Sequence, residues 1–240
     1  MMEFFRFPHT PHLAWLGVGE PRDDKVLTPD EAESLLSHNL TVEEKIDGAN
    51  VGFSVDEEGN LQVQNRGSFL TSGNCPPQFK PIWQWLEPRR DALCDALFPD
   101  LMLFGEWCYA AHTVRYSRLP DWFLGFDVFD RASWGFWSVS RRDELLGRLG
   151  LAIVPTIGVG SFDLPRLHAL LGQSRLGDFL AEGLYVRVDK FAWGASRMQW
   201  LASRAKLVRS EFIQSIGEHW SQRALETNKV VSSTRGLTED

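Results

Sequence analysis

The chain has 240 residues, of which 43% are hydrophobic and 24% charged, and its formal net charge is −7. This length and composition suit one globular domain with, at most, a small appendage. No apolar run approaches the roughly 20 residues of a membrane span, and the N-terminal segment lacks the apolar region of a signal peptide. The acidic balance excludes a protein that coats nucleic acid by bulk charge, but it leaves room for a local basic groove.

The three cysteines, Cys75, Cys94 and Cys108, are an odd number and are widely spaced. Because no Cys-x-x-Cys motif occurs, the sequence supports neither a zinc ribbon nor a disulfide framework. Free thiols are typical of a reducing compartment, so the expected location is the cytoplasm, away from membranes.

The first predicted elements are a helix and a hairpin. Thr28 and Glu31 form a capping-box pattern that starts a helix ending near Ser37. Alternating apolar residues from Val51 then predict a half-buried strand, and the turn residues 56–60 lead into a second strand.

Helical and strand patterns alternate along the rest of the chain. The further predicted helices are two pieces within 78–98 broken near Pro88, a short helix opened by a capping box at Ser140, a helix from Leu164 and a last helix capped by Ser210. The further predicted strands cover 101–107, 122–129, 153–159 and 183–188. The pattern predicts an antiparallel-rich α+β domain over residues 1–220, followed by a polar tail over 221–240. The last residues of that tail, from Asn228, are expected to be frayed.

The segment Glu44-Lys45-Ile46-Asp47-Gly48-Ala49-Asn50 places a lysine, an acid, a glycine and an amide at fixed offsets. Gly48 permits a tight turn or the close approach of a ligand. The ordinary pKa of a lysine, about 10.4, makes it a poor nucleophile at neutral pH, but burial or a neighbouring cation lowers that pKa. Taken alone, the segment is more often an ordinary hairpin with a surface lysine.

The same segment resembles the KxDG signature of the covalent nucleotidyltransferases, the superfamily of DNA ligases, RNA ligases and mRNA capping enzymes. Five further segments resemble the remaining motifs of that superfamily in the right order: Asn65-Arg66-Gly67-Ser68, Phe104-Gly105-Glu106-Trp107, Gly125-Phe126-Asp127-Val128-Phe129, Glu182-Gly183-Leu184-Tyr185-Val186 and Lys206-Leu207-Val208-Arg209. Each short match is weak alone, but six in order are a strong signal. Thr10-Pro11-His12-Leu13 and the asparagine at position 50 resemble the RNA ligase branch.

The resemblance implies a role for each matching residue. Lys45 is the expected nucleophile, and Lys206 is the expected ligand of the ATP α-phosphate, with Arg204 as a second candidate. Asp47 and Glu182 are expected to hold Mg²⁺ or Mn²⁺, directly or through water, since hard cations prefer oxygen ligands. The implied nucleotide-binding residues are Glu44, Asp47, Gly48, Asn50, Arg66, Glu106, Phe126, Glu182, Arg204 and Lys206.

Several of these residues also have a purely structural interpretation. A carboxylate such as Glu106 on a buried strand needs a partner, which is either a ribose hydroxyl or one of Arg115 and Arg118. Phe126 either stacks on a purine or packs in the core, and Asp127 is expected to orient the site rather than react. The basic region 187–209 is either a solvated face or a phosphate-binding wall; its cations are Arg187, Lys190, Arg197, Arg204, Lys206 and Arg209.

The resemblance implies an antiparallel-rich α+β nucleotidyltransferase domain, of the ATP-grasp-like ligase adenylation type, without a C-terminal OB domain, since only about thirty residues follow Arg209. It implies an ATP-dependent RNA ligase. Lys45 would take AMP from ATP, AMP would pass to an RNA 5′-phosphate, and a 3′-hydroxyl would displace it. The expected partners are RNA with such ends and an end-healing enzyme or helper subunit.

The alternatives are of two classes. One is another covalent nucleotidyltransferase, either a capping-type guanylyltransferase or a DNA ligase. The other is a non-catalytic nucleotide- or RNA-binding subunit, against which the presence of Lys45, Glu106, Glu182 and Lys206 argues.

Overall fold

Backbone pairing organises the chain into two β-sheets flanked by short helices. The computed structural model describes residues 4–19, 21, 25–189, 192–194, 203–215 and 225–231. Its strands are β1 (Leu40–Lys45), β2 (Ala49–Val55), β3 (Leu61–Asn65), β4 (Phe69–Leu70), β5 (Leu101–Trp107), β6 (Phe123–Asp130), β7 (Gly135–Trp137), β8 (Thr156–Gly160), β9 (Gly183–Val188), β10 (Ala192–Gly194) and β11 (Arg204–Val208). Its α-helices are α1 (Pro29–Leu36), α2 (Ile82–Leu86), α3 (Arg90–Leu97), α4 (Val139–Arg148), α5 (Leu164–Leu170) and α6 (Ser210–Ser215).

All the strand pairs of both sheets are antiparallel. The smaller sheet has the order β11-β9-β1-β8, and the larger has the order β10-β7-β6-β5-β2-β3-β4. The predicted antiparallel-rich α+β class is therefore confirmed. None of the described helices has the length and apolar character needed to cross a membrane.

Local sequence signals explain where the first elements begin. Thr28 Oγ1 accepts the N–H of Glu31, and the Glu31 carboxylate accepts the N–H of Thr28, which completes the predicted capping box. The predicted hairpin is also present, because β2 pairs with β3 and the Asp56 carboxylate accepts backbone N–H groups within the connecting turn.

Three predicted boundaries are wrong. Ser138, not Ser140, caps α4, because its hydroxyl accepts the N–H of Arg141. The strand predicted from residue 153 begins only at Thr156. Lys45 ends β1 rather than opening the next strand, and residues 46–48 form the turn between β1 and β2.

Separate apolar clusters support the two sheets. The smaller sheet packs against α1 and α5 through a buried cluster that includes Leu35, Val42, Leu167, Val186 and Leu207. The larger sheet packs against α2, α3 and α4 through a second cluster, which includes Phe53, Leu86, Leu93, Trp107 and Leu145. The interior strands β1 and β9 of the smaller sheet and β2 and β5 of the larger sheet carry residues that line one cavity.

The expected fraying is wrong for residues 228–231, which lie in the described segment 225–231. Asn228 in this segment is only 3% exposed, and its backbone N–H donates to the carbonyl of Tyr109 at 3.0 Å. The segment also bridges to Ala110 and Leu119, in the connection between β5 and β6. Residues 216–224 and 232–240 lie outside the described part of the chain, so the boundary at 220 stays a prediction.

Candidate active site

A cavity of about 480 Å³ opens between the two sheets. The smaller sheet contributes Lys45 at the end of β1, Glu182 immediately before β9, and Lys206 on β11. The larger sheet contributes Asn50 on β2 and Glu106 on β5, which are directly paired. Of the residues implicated by the sequence, those that line this cavity are Glu44, Lys45, Asp47, Gly48, Asn50, Arg66, Glu106, Phe126, Glu182 and Lys206.

Lys45 is held in the cavity by an ion pair. Its Nζ donates to Glu182 Oε2 at 2.8 Å. Burial by itself lowers the pKa of Lys45, but the negative charges of Glu182, Glu106 and Asp47 outweigh it, so the net shift of this pKa is upward. In the ligand-free cavity the amine is therefore a cation, and it must lose a proton before it can act as a nucleophile.

The acids around Lys45 are crowded. Burial raises the pKa of Glu106 to about 8; Lys45 opposes this shift, and the charges of Glu182 and Asp47 add to it. Burial likewise raises the pKa of Glu182 and of Asp47 above their ordinary values. These three carboxyl groups share the cavity with the cationic side chains of Lys45, Lys206 and Arg66.

The carboxylates fit a divalent cation only if a substrate completes the ligand set. Among the described residues, no group of three or more His, Cys, Asp or Glu side chains is arranged to hold a metal. Mg²⁺ typically takes one or two protein carboxylates and fills its octahedron with water and phosphate oxygens. The hard oxygen donors of Asp47 and Glu182 suit that arrangement, and their assignment as ligands stays a prediction.

Glu44 lies on the opposite side of β1 from Lys45, because successive side chains of a strand alternate between its faces. Its carboxylate accepts the Ser174 hydroxyl at 2.5 Å and the Arg175 N–H at 2.8 Å. Burial raises the pKa of Glu44 despite these hydrogen bonds. The carboxylate therefore anchors the segment after α5, and only the rest of Glu44 is available to the cavity.

Asp47 organises the connection between β5 and β6, residues 108–122, which we call the 108–122 loop. The Asp47 carboxylate accepts the backbone N–H groups of Thr113 and Val114, each at 2.7 Å. The Asp47 N–H donates to Tyr116 Oη at 2.8 Å. The aspartate of the KxDG-like segment thus fixes the loop that closes one side of the cavity.

Gly48 has a steric reason to be glycine. A Cβ at this position would lie 2.8 Å from Glu106 Cγ and 2.9 Å from the carbonyl oxygen of Trp107. Both distances are shorter than real Cβ contacts, so the turn after Lys45 can approach β5 only without a side chain. The sequence allowed for a tight turn or the close approach of a ligand at Gly48. In the structure the group that approaches closely is β5, the strand that carries Glu106.

Arg115 and Arg118 pair with acids other than Glu106, and the nearby His112 carries no charge at pH 7. Burial lowers the pKa of His112 to about 4, so this cavity-lining ring is neutral at pH 7. Arg115 pairs with Glu226, and Arg118 pairs with Asp178 at 2.6 Å, in both cases between exposed side chains. The structural alternative that gave Glu106 an arginine from this pair is therefore wrong.

A β-bulge presents Phe126 to the cavity. The ladder between β5 and β6 shifts register at Phe104 and Gly105 and leaves Phe126 without a partner on β5. The freed carbonyl of Phe126 accepts Arg142 Nη1 at 2.7 Å and Arg187 Nη2 at 2.9 Å. Two buried guanidinium groups thereby fix the backbone behind the ring expected to stack on a purine.

Arg204 does not line the cavity, which corrects its assignment to the phosphate. It is 2% exposed, and its Nη1 pairs with Asp127. It belongs to what we call the buried charge cluster, formed by Glu43, Asp127, Arg142, Arg187 and Arg204. The orienting role expected of Asp127 agrees with its pairing to both Arg187 and Arg204.

The basic region therefore supplies fewer phosphate ligands than its composition suggested. Lys206 lines the cavity, and Arg187 lines it while also pairing with Glu43 and Asp127. Arg209 donates through Nε to the carbonyl of Ala181. Lys190 and Arg197 lie outside the described residues. Arg66, after β3, is the cation that the larger sheet adds to the lining.

Sequence reasoning missed part of the lining. Tyr185 on β9 reaches the cavity because it lies opposite Lys206 on β11 and Glu43 on β1. Alternation along the predicted strand 183–188 could have placed it there. Phe7 and Thr10 come from the N-terminal segment, which runs beside β11 because the Lys206 N–H donates to the carbonyl of Pro11 at 2.8 Å. No local pattern predicts that contact.

Solved structures resemble this fold. A variant of the Naegleria gruberi RNA ligase with ATP and Mn matches with a TM-score of 0.59 and 16% identity, over 87% of this chain and 63% of that one. The same ligase with PPi gives 0.59 and 16%, over 88% and 64%. An archaeal ATP-dependent RNA ligase gives 0.56 and 20%, over 85% and 48%. This chain thus spans about half to two thirds of the length of these ligases.

No curated protein matches the chain in sequence. A protein-family model does: the model described as RNA ligase matches residues 38–208, which include Lys45, Glu106, Glu182 and Lys206. This match covers more than half of the chain. It includes five of the six segments that resembled nucleotidyltransferase motifs, and the last of the six up to Val208. The chain therefore belongs to the RNA ligase family.

Proposed function

We propose that this protein is an ATP-dependent RNA ligase that carries AMP on Lys45. The observation that supports it most is the convergence of Lys45, Glu106, Phe126, Glu182 and Lys206, from separate strands of two sheets, on one cavity. Membership of the RNA ligase family agrees with it. So do the ATP, Mn and PPi named for the Naegleria gruberi ligase structures.

In the first step, Lys45 Nζ forms a bond to the α-phosphorus of ATP, and the bond to the bridging oxygen of pyrophosphate breaks. The amine must release a proton, and the group in hydrogen-bond contact with it is Glu182 Oε2. A divalent cation bound with ATP would neutralise phosphate charge. Lys206 and Arg66 add fixed positive charge, which is the main catalytic contribution that a protein makes to phosphoryl transfer.

The remaining lining residues select and orient the nucleotide. Phe126 presents its ring from a fixed bulge and stacks on the purine. Glu106 offers a carboxyl group to the ribose hydroxyls, and its raised pKa of about 8 keeps it protonated at neutral pH, so it can also donate a hydrogen bond. Asn50, paired with Glu106 across the ladder, has a buried Oδ1 without a hydrogen-bond partner in the protein. That atom is available to a substrate hydroxyl.

The later steps join RNA ends. AMP passes from Lys45 to an RNA 5′-phosphate, and an RNA 3′-hydroxyl then attacks that phosphate and releases AMP. The substrates are therefore RNA ends with a 5′-phosphate and a 3′-hydroxyl. An end-healing enzyme supplies such ends wherever cleavage leaves others.

The first experiment uses α-labelled ATP and Mg²⁺ with wild-type protein, Lys45→Ala and Lys80→Ala. Lys80 is an exposed lysine outside the cavity, which makes it a matched control. After pretreatment with pyrophosphate to remove bound AMP, label on wild type and Lys80→Ala but not on Lys45→Ala supports the proposal. Covalent label on Lys45→Ala, or none on any protein, overturns it. Label from GTP instead of ATP indicates a capping-type enzyme.

A second experiment separates the later steps from the first. Lys45→Ala should still seal RNA that carries a preformed 5′-adenylate, because that step does not use the lysine. Sealing is compared on nicks with RNA and with DNA 3′-hydroxyl ends. Joining of both kinds with equal efficiency would identify a DNA ligase activity rather than an RNA ligase.

A further inference from the structure

The 108–122 loop is buried although it has no strand partner in either sheet. Cys108, Ala110, Val114, Tyr116 and Leu119 in this loop are each at most 4% exposed. Buried backbone N–H and C=O groups need hydrogen-bond partners, which regular ladders normally supply. Asp47 and Leu176 supply some of them. The loop obtains others from residues 225–231, which we call the C-terminal strap.

The C-terminal strap is joined to the loop by five backbone hydrogen bonds of 2.8 to 3.0 Å. Its buried side chain is that of Asn228, which adds three more. Asn228 Oδ1 accepts the Tyr116 N–H at 2.8 Å. Asn228 Nδ2 donates to the carbonyls of Cys108, at 2.8 Å, and Ala110, at 3.2 Å. One amide group therefore ties the start of the loop to its middle.

Tyr116 connects the strap to Asp47. Its N–H donates to Asn228, and its carbonyl accepts the Lys229 N–H at 2.9 Å. Its hydroxyl accepts the Asp47 N–H at 2.8 Å. Two to three residues earlier, the same loop directs the Thr113 and Val114 N–H groups at the Asp47 carboxylate. The backbone and the side chain of Asp47 are thus both held by a loop that the strap holds.

We infer that Asn228 is a positioning residue, which fixes the carboxylate of Asp47 for the divalent cation and the nucleotide phosphates. Its catalytic consequence rests on the proposed function. Loss of the Asn228 amide leaves three buried backbone groups without this partner, and the loop amides lose their fixed direction. Lys45 and Glu182 are held by β1 and β9, so the nucleophile itself is not displaced.

The test compares Asn228→Ala with Lys229→Ala. Lys229 is exposed, and its strap hydrogen bond uses a backbone N–H that alanine retains, so it is a matched control. In the ligand-free protein, hydrogen exchange of the Thr113 and Val114 amides should become at least tenfold faster in Asn228→Ala and stay unchanged in Lys229→Ala. The Mn²⁺ concentration that half-saturates lysyl-AMP formation should rise at least fivefold, while the rate at saturating Mn²⁺ changes less than threefold.

Unchanged amide exchange and unchanged Mn²⁺ dependence in Asn228→Ala would overturn the inference, and so would a fall in the saturating rate alone. If Asn228→Ala does not fold, the Tyr116→Phe variant tests the inference instead. It keeps the ring and the strap, removes only the acceptor of the Asp47 N–H, and should speed exchange of that amide and raise the Mn²⁺ requirement. Wild-type protein that never forms lysyl-AMP overturns the proposed function; amide exchange and calorimetric Mn²⁺ binding then decide the role of Asn228.

Discussion

The active cavity and the buried charge cluster lie side by side on the same strands, yet their charges are balanced differently. Lys45 and Glu43 lie two residues apart on β1, as do Lys206 and Arg204 on β11. In the cluster, burial lowers the pKa of Arg187, but the charges of Asp127 and Glu43 outweigh it and raise this pKa, so Arg187 stays protonated. In the cavity, burial and mutual repulsion raise the pKa of Glu106 to about 8.

This difference in charge balance distinguishes charged groups with a structural role from those of the candidate site. The buried charge cluster contains acids and guanidinium groups that pair at 2.7 to 3.1 Å, and two of its arginines also hold the carbonyl of Phe126. In the cavity, by contrast, the pKa values of Glu106, Glu182 and Asp47 are all raised, and a cluster of shifted pKa values in a cavity is typical of a functional site.

The largest expected effect comes from breaking the buried charge cluster at Asp127. Asp127→Ala leaves Arg187 and Arg204 without their shared carboxylate in a site that is fully buried. Removing one partner of a buried ion pair typically lowers the free energy of unfolding by about 3–5 kcal/mol. Urea denaturation measures it. Asp178→Ala, which breaks the exposed pair with Arg118, should cost less than about 1 kcal/mol; equal losses in the two variants would contradict the distinction.

The second prediction, with a smaller expected effect, compares substitutions of Lys206 and Arg204. Lys206→Ala should slow lysyl-AMP formation about 100-fold, equivalent to about 2.7 kcal/mol, because a fixed positive charge beside the α-phosphate is lost. Its urea midpoint should stay close to that of wild type. Arg204→Met should show the opposite pattern, with a lowered midpoint and a smaller effect on the rate per folded molecule. A catalytic loss in Arg204→Met as large as that of Lys206→Ala would restore Arg204 as a phosphate ligand.

The contrast between these two residues also shows how far the sequence could go. The resemblance of six short segments to one superfamily implicated eleven residues, and ten of them line the cavity. Arg204 was misplaced because a basic composition does not distinguish a cation that faces phosphate from one that faces Asp127 on a distant strand. That distinction depends on which groups from other strands the tertiary structure packs against each position of β11, and no local pattern records it.

Other features were beyond sequence reasoning for the same reason. The bulge at Phe126 depends on the register between β5 and β6, and the Arg142 that supports it lies on α4. The sequence predicted only a polar tail at residues 225–231. Their hydrogen-bond partners lie in a loop more than one hundred positions earlier in the chain, which no local pattern indicates. The capping box at Thr28 and the β2–β3 hairpin are local, and the sequence predicted both.

The third prediction concerns the proton on Lys45. Its pKa lies above the ordinary lysine value, so only a small neutral fraction exists at pH 7. Well below a pKa, that fraction increases about tenfold for each pH unit. Lysyl-AMP formation at fixed, saturating ATP and Mg²⁺ should therefore accelerate from pH 6 to pH 8, with a slope close to one on a logarithmic scale. Single-turnover labelling measures this step alone, and a flat profile would mean that bound substrate has already removed the proton.

The smallest expected effect is on stability, and it comes from the crowded acids. Because the folded pKa of Glu106 is about 8, the folded chain keeps a proton that the unfolded chain releases above about pH 4.5. The free energy of unfolding should therefore fall as pH rises towards 8 and level off above it. Because partial exposure to solvent weakens the effect, we expect the free energy of unfolding to fall by about 1 kcal/mol between pH 6 and pH 8. Glu106→Gln should remove most of this decrease, whereas Glu33→Gln, on the exposed side of α1, should keep it. A decrease that persists in Glu106→Gln would assign it to Glu182 and Asp47, whose pKa values are raised in the same direction.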